Sequence, residues 1–270
     1  YCIAEGSAHQ QRQVRRYYPF SITRNSSSHP SALALTHADN ACQMEKQSDL
    51  GSGVWLVTGG LGGLGLLTAK CLIQLGVRHI VLVSRSGKVS YQDQGLETAL
   101  SSLLSQPDVC IHLIKCDVSD EADVTDMLAS VRKLGKIRGI IHAAGVLRDG
   151  LLVTGSAALG ASTVWKSKAE SAYILHKLTE CDTDLIAFIC FSSVTSALGA
   201  VGQSAYGGSN RYLECLMRQR MLSGRHGLCI RWPEVSGVGM AAALHRTASA
   251  TGGIGGSGGT MRSCAIPPEL

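Results

Sequence analysis

The sequence predicts an α/β protein built on a doubly wound parallel sheet, with an irregular N-terminal extension and a glycine-rich C-terminal tail. Three observations carry this. Short apolar runs recur through the middle of the 270-residue chain. Segments of helical apolar spacing separate them, so successive strands need crossover connections and lie parallel. A glycine-rich turn, Gly59-Gly60-Leu61-Gly62-Gly63-Leu64-Gly65, falls between the first strand and the first helix.

The elements follow in order. Val54-Trp55-Leu56-Val57-Thr58 is a short apolar run ending at glycines, as a buried parallel strand should be. Leu64 to Leu75 has helical spacing and stops at Gly76, a natural residue for a helix C-terminus. His79 to Val83 reads as the second strand, Val109 to Ile114 as the third, and Glu121 to Leu134 as a helix. Gly139-Ile140-Ile141-His142 reads as the fourth strand. A helix is expected over Ser167 to Leu178, a strand over Leu185 to Phe191, a helix over Ala205 to Leu222 and a last strand over Leu228 to Trp232. The nucleotide-binding domain is therefore placed at residues 51–240. Residues 1–50 carry polar clusters such as Asn25-Ser26-Ser27-Ser28-His29-Pro30 and read as an irregular extension. Residues 241–270 include Thr251-Gly252-Gly253-Ile254-Gly255-Gly256-Ser257-Gly258-Gly259-Thr260 and read as a truncated lid running into a flexible tail.

Composition excludes several functions. Hydrophobic residues make up 45% and charged residues 17%, which suits a globular chain with one sizeable core. The formal net charge of +5 is modest, and Arg12, Arg15 and Arg16 lack the aromatic interleaving expected of a nucleic-acid surface. No run of about 18 apolar residues offers a membrane span. Ten scattered cysteines form no Cys-x-x-Cys pair, and no His-Glu-x-x-His is present, so no metal site is expected. Thiols embedded in apolar runs behave as small hydrophobes and fit a reducing, cytoplasmic setting. A chain starting at Tyr1 reads as a fragment, so organelle targeting from a preceding segment stays open.

The glycine-rich turn is the first chemical signal. In Thr58-Gly59-x-x-x-Gly63-x-Gly65 the glycines let the backbone turn sharply and approach a pyrophosphate, and the helix N-terminus offers unpaired N–H groups to its charge. Thr58, Gly59, Gly60, Leu61, Gly62, Gly63, Leu64 and Gly65 are thus expected at the cofactor. An NAD enzyme would place an acid about 20 residues on, at the end of the second strand. This chain has Ser84-Arg85-Ser86 there, a guanidinium and two hydroxyls suited to a 2′-phosphate. The cofactor is therefore expected to be NADPH. Ala143, Ala144 and Gly145 close the fourth strand with residues small enough to pass near a ribose.

The second signal lies downstream. Ser193 precedes Tyr206 by 13 residues, the layout of a short-chain reductase. The usual lysine four residues after the tyrosine is missing, and Asn210 stands there, while Lys168 occurs upstream in Trp165-Lys166-Ser167-Lys168. Taken singly, Tyr206 would be packing, Ser193 a strand end and Lys168 a solvated helix residue. Together, behind the glycine turn, they form a carbonyl-reduction constellation. Such a reduction needs hydride from a nicotinamide and a proton for the developing alkoxide. A tyrosine is a poor proton donor unless a cation lowers its pKa.

This pattern resembles the ketoreductase domain of modular polyketide synthases, a branch of the short-chain dehydrogenases and reductases with relatives in animal fatty acid synthase. The resemblance covers about residues 53 to 240. It implies Tyr206 as proton donor, Ser193 as donor to the substrate carbonyl, and Lys168 as the cation that shifts Tyr206 and holds the ribose. Asn210 would position Lys168 or a relay water. Asp117, beside Val118 at the end of the third strand, would lie at the adenine. The resemblance further implies a β-ketoacyl thioester borne on an acyl carrier protein, with neighbouring synthase domains as partners. Leu147-Arg148-Asp149 is similar to the Leu-Asp-Asp signature of ketoreductases that make the D-configured hydroxyl, and Leu198 stands where the opposite class has tryptophan. Asp149 and Leu198 are therefore expected to bear on stereocontrol.

Departures from the family pattern motivate two other readings. Gly207-Gly208 follow the tyrosine, at about 1 kcal/mol of helix propensity each. Arg231-Trp232-Pro233-Glu234-Val235 replaces the usual Asn-Trp-Gly-Pro-Trp, the lid gives way to glycine repeats, and a long preceding subdomain is not in evidence. One alternative is a catalytically inactive ketoreductase-like structural module. The other is a free-standing reductase of small ketones or quinones.

Overall fold

The central strand explains the architecture. All five residues of β1 (Val54–Thr58) are buried, so both faces of this strand must be covered. Its side chains alternate between two cores. Val54 and Leu56 face one, while Trp55 and Val57 face the other. The computed structural model of the protein describes residues 50–90, 94–240 and 242–243. Expectations for the N-terminal extension and for the glycine-rich tail fall almost entirely outside the described residues.

Six strands form one parallel sheet in the order β3-β2-β1-β4-β5-β6, with β2 at His79–Ser84, β3 at Cys110–Lys115, β4 at Ile137–His142, β5 at Ala187–Ser193 and β6 at Leu228–Trp232. The order runs outward from β1 in both directions, which makes the sheet doubly wound. Helices α1 (Gly63–Gln74) and α2 (Leu96–Leu104) cover one face with Leu66, Ala69, Leu72, Leu96 and Leu103. Helix α3 (Glu121–Leu134) covers the other with Val124, Met127, Leu128 and Val131. Farther along, α4 (Ser156–Trp165) runs through a π-helical turn at Lys166–Glu170 into α5 (Ser171–Leu178). A four-residue helix α6 (Thr195–Leu198) then precedes the long α7 (Ser204–Leu222). Edge strands β3 and β6 carry exposed positions, as strands with one unpaired side do.

Local chemistry sets the boundaries. Gly76 adopts φ +94 just past α1, and its N–H bonds to Ile73 O at 3.0 Å, as its sequence position implied. Asp120 caps α3 by accepting from the N–H groups of Ala122 and Asp123. Three helices were not expected, α2, α4 and the short α6. Helix α4, SAALGASTVW, is rich in serine, alanine and other small residues that blur an apolar period. Helix α6 is a single turn of four residues. Helix α2 sets Leu96, Ala99, Leu100, Leu103 and Leu104 at helical spacing, but over only nine residues. Strand β5 also starts and ends two residues later than its apolar run, because Ser192 and Ser193 continue the ladder against β6.

Among the described residues, no helix is long and apolar enough to cross a membrane, and no group of three or more His, Cys, Asp or Glu residues is placed to hold a metal ion.

The seam between β1 and β4 tolerates little change. A Cβ on Gly139 would overlap the indole ring of Trp55, its partner in the β1–β4 register. Gly139→Ala is expected to lower stability by about 1–3 kcal/mol in chemical denaturation through overpacking. In a double-mutant cycle, Trp55→Leu should recover most of that loss.

Candidate active site

The carboxyl ends of the strands build a cleft, the place where open parallel sheets bind ligands. It is lined by Gly59, Ser84, Arg85, Asp117, Val118, Ala144 and Gly145 from the expected set, with Val83, Ser90, Cys116, Val146 and Ser167 beside them. Gly59 turns the chain at φ +66, and a Cβ there would sit 2.8 Å from the Ala143–Ala144 peptide, so only glycine fits. Ala143 N–H bonds to Thr58 O at 3.1 Å, which fixes this close approach. Gly65 packs against Gly59 and Gly60, and Gly63 against the Gly239 backbone and the Val238 side chain. Leu61 is buried and Leu64 packs on the same core, so both serve the turn through packing.

The cleft suits a dinucleotide. Helix α1 begins at Gly62 with no side-chain cap and no acid in its first turn, which leaves its N-terminal N–H groups to an anion. At the end of β2, Ser84 Oγ accepts from Gly87 N–H at 3.0 Å, and Ser86 Oγ donates to Lys88 O at 3.1 Å. These serines shape the turn that presents the exposed Arg85. Asp117 does not cap α3. Its Oδ1 accepts from Ser119 N–H at 3.0 Å and from Ser119 Oγ at 2.7 Å. Burial works to raise the Asp117 carboxyl, but the Ser119 hydrogen bonds, with Arg85 and Lys166 nearby, bring it below its usual value.

Lys168, Ser193 and Asn210 gather around Tyr206, next to the Gly145 wall of the cleft. Lys168, in the π-helical turn, is 3% exposed and donates from Nζ to Phe191 O at 2.9 Å. The same Nζ lies 5.5 Å from the centroid of the Tyr206 ring and is close to Gly145 at the cleft wall. Tyr206 sits in the first turn of α7 and Ser193 at the end of β5, where Ser193 Oγ accepts from Thr195 N–H at 3.2 Å. Asn210 is fully buried one turn below Tyr206 and donates from Nδ2 to Tyr206 O at 3.0 Å. Its Oδ1 is buried without a partner, an acceptor open to a water or a bound group. Helix α7 passes through both glycines unbroken, and Gly207 lets it approach Thr195 O closely.

Burial dominates the titrations. Desolvation pulls Lys168 down to about 8, with Cys190 and Cys229 acting in the opposite direction. Desolvation pushes the Tyr206 phenol up, assisted by Asp149 and opposed by Asn210 and Ser193. At neutral pH this combination holds a protonated phenol beside an ammonium. The cation faces the ring of Tyr206, and the phenol moves upward rather than downward.

Asp149 Oδ2 accepts from Gln203 Nε2 at 2.9 Å, and Gly150 N–H bonds to Gly202 O at 2.9 Å, so the Asp149 loop is tied to the loop entering α7. Leu198, 83% exposed, stands at the end of α6.

Sequence reasoning missed Glu214 and passed over His142. Glu214 accepts from Ser192 Oγ at 2.8 Å, from Ser196 Oγ, from Arg211 Nη1 at 2.9 Å, and from Arg231 Nε at 2.8 Å. Arg231 also donates through Nη2, so the pair is bidentate. The Arg231 hydrogen bonds bring Glu214 down to about 2 against its partial burial. One carboxylate thus ties β5, α6, α7 and β6 together around Ser193. The signal in the sequence was Arg231 itself, a departure that needed an acid partner.

A doubly wound sheet with this turn and this serine, tyrosine and lysine defines a short-chain dehydrogenase/reductase. Within that superfamily the chain belongs to the ketoreductase domains of polyketide synthases, because the KR domain model matches residues 53–237. It is 36% identical over 197 residues to the spectinabilin polyketide synthase system protein NorB of Streptomyces orinoci, covering 72% of this chain and 9% of that protein. It is also 36% identical over 193 residues to the naringenin synthase of Pestalotiopsis fici, covering 71% and 7%. The chain therefore spans less than a tenth of either relative. Among solved structures, it resembles A-type ketoreductases from a modular polyketide synthase, with a TM-score of 0.64 and 30% identity over 81% of this chain and 43% of that one. PlmKR1, the ketoreductase from the first module of phoslactomycin biosynthesis in Streptomyces sp. HK803, gives 0.62 and 28% over 73% and 45%.

The buried ammonium has a measurable cost. Lys168 has a folded-state pKa below its unfolded one, so its charge opposes folding in full below about pH 8. Between that value and 10.5 the unfolded chain binds more protons, and stability rises with pH. Lys168→Met should be more stable than the parent by up to about 3 kcal/mol at pH 7 in chemical denaturation. The difference should shrink toward zero by pH 10.

Proposed function

We propose that residues 51–240 form an NADPH-dependent reductase that converts a β-ketoacyl thioester to its β-hydroxyacyl form. Its oxidoreductase class follows from the family. The cofactor choice, the substrate and the residue roles are our reading. One observation carries it: the buried Lys168 ammonium lies 5.5 Å from the Tyr206 ring, with Ser193 and Asn210 acting on the same phenol. A bound nicotinamide supplies the hydride. Ser193 Oγ–H donates to the substrate carbonyl oxygen and polarises it. The Tyr206 hydroxyl, kept protonated by burial, gives its proton to the alkoxide as charge develops. Lys168, with one N–H held by Phe191 O, has two N–H groups for ribose hydroxyls and lends positive charge to the phenolate left behind. The unpartnered Asn210 Oδ1 accepts from a water that replenishes the proton.

Arg85 at the rim of the cleft supports NADPH over NADH, since no acid from the end of β2 stands there to repel a 2′-phosphate. The tie from Gln203 to Asp149 supports a role for Leu147-Arg148-Asp149 in setting the approach of the chain, and a D-configured product. The substrate is proposed to arrive on the phosphopantetheine of an acyl carrier protein, within a synthase that supplies neighbouring domains.

NADPH oxidation with a β-ketoacyl thioester tests this reading. Tyr206→Phe should lose at least about 100-fold in kcat, the scale of general-acid catalysis. Product chirality, and a gain in kcat/KM on carrier attachment, test the finer points. NADPH binding without turnover would identify an inactive module. Equal turnover of free and carrier-bound ketones would favour a free-standing reductase.

Cofactor choice is tested separately. Arg85→Ala should raise the KM for NADPH about tenfold while leaving that for NADH within about twofold, as loss of a charge-assisted phosphate contact requires.

A further inference from the structure

His142 ends β4 and is fully buried, yet both ring nitrogens are engaged. Nε2 lies 2.9 Å from Lys168 O and, more distantly, 3.2 Å from Ser171 Oγ, and Nδ1 lies 2.7 Å from Thr58 Oγ1. A backbone carbonyl can only accept, so Nε2 carries the ring proton. Nδ1 is then bare and accepts the Thr58 hydroxyl proton. Desolvation, with the Lys168 ammonium nearby, pulls the imidazole down to about 3, which keeps it neutral.

The bond has an unusual destination. Lys168 sits in the π-helical turn between α4 and α5, and such turns displace carbonyls from the regular helical ladder. Its carbonyl takes the His142 N–H and also the Ser171 hydroxyl at 3.2 Å. At the far end of the residue, Nζ bonds to Phe191 O on β5. His142 pairs with Cys190 across the β4–β5 register, so Lys168 is held at both ends by neighbouring strands. Through Thr58, the same chain of bonds reaches the first residue of the glycine-rich turn.

We propose that His142 is a positioning residue, whose Nε2–H pins the π-helical turn so that Lys168 meets Tyr206 while Nδ1 ties that turn to Thr58 and the cofactor loop. Its catalytic consequence rests on the reading of Lys168 and Tyr206 given above. The pinning itself does not.

Two substitutions separate the nitrogens. His142→Asn retains an acceptor near Nδ1 but is too short to reach Lys168 O. His142→Gln carries an amide N–H to about the Nε2 position. Both are compared with the parent in the full chain, by steady-state kinetics and by pulse acylation of Lys168 with acetic anhydride, read by mass spectrometry. In His142→Asn, kcat should fall on the order of 10–100-fold, as misplacement by about 1 Å does, with the KM for NADPH changed less than about threefold. Lys168 acylation should rise about tenfold as the turn loosens. His142→Gln should restore most of the kcat and the protection. Equal losses in both variants, or unchanged kcat and labelling in His142→Asn, would overturn the proposal.

Should the parent prove inactive, labelling decides alone, and only the functional reading falls. Should His142→Asn not fold, His142→Gln decides alone. There, kcat and Lys168 labelling close to those of the parent support the pinning, and a folded His142→Gln that loses both the kcat and the protection overturns it.

Discussion

Everything at this site depends on keeping one ammonium out of water. Lys168 carries a charge into a position that is 3% exposed, and desolvation brings its pKa down to about 8. Such a residue stays in place only when its surroundings over-determine it. Here the side chain bonds to β5, its carbonyl is bonded by β4 and α5, and Gly145 leaves room beside Nζ. The carbonyl bond from β4 requires a neutral, Nε2-protonated imidazole, and burial supplies one. A charged His142 would be costly next to Lys168 and would leave Thr58 without an acceptor. The ammonium lies 5.5 Å from the centroid of the Tyr206 ring, while burial, more than this cation, sets the direction in which the phenol shifts.

The sheet serves this arrangement. Its doubly wound order brings the ends of β1, β4 and β5 side by side, so the turn after β1, the small residues after β4 and Ser193 on β5 share one rim. Helix α7 then delivers Tyr206 and Asn210 one turn apart, with Asn210 wholly buried beneath. The departure at Arg231 is absorbed by Glu214. An arginine at the end of β6 meets a carboxylate that also holds Ser192 and Ser196, the neighbours of Ser193. A changed loop residue has thereby become part of the frame around the serine.

Much of this was legible in the sequence, for identifiable reasons. Buried parallel strands read as apolar runs, so β1 and β2 were plain, and the glycine turn marked the cleft. Helix α4 was hidden because small residues and serines carry little periodic signal, and α2 because its apolar period runs for only nine residues. The Ser193, Tyr206, Lys168 and Asn210 set was singled out from spacing and identity, and the fold gathers the other three around Tyr206. Glu214 and His142 escaped notice because their partners lie far away in the chain. His142 bonds residues 84 and 26 positions distant, and Glu214 takes its hydrogen bonds from three other elements besides its own helix. The direction of the Tyr206 shift was also out of reach. It is set by burial, and burial belongs to the fold.

The account turns on the state of Lys168, so its titration is the most direct measurement. Biosynthetic 13Cε labelling of lysines, with Lys168→Met used to assign the signal, follows the pKa of that amine by NMR. A midpoint near 8 in the folded protein would support a desolvated ammonium held against the Tyr206 ring. A midpoint near the ordinary lysine value of about 10.4 would show a hydrated side chain and contradict it.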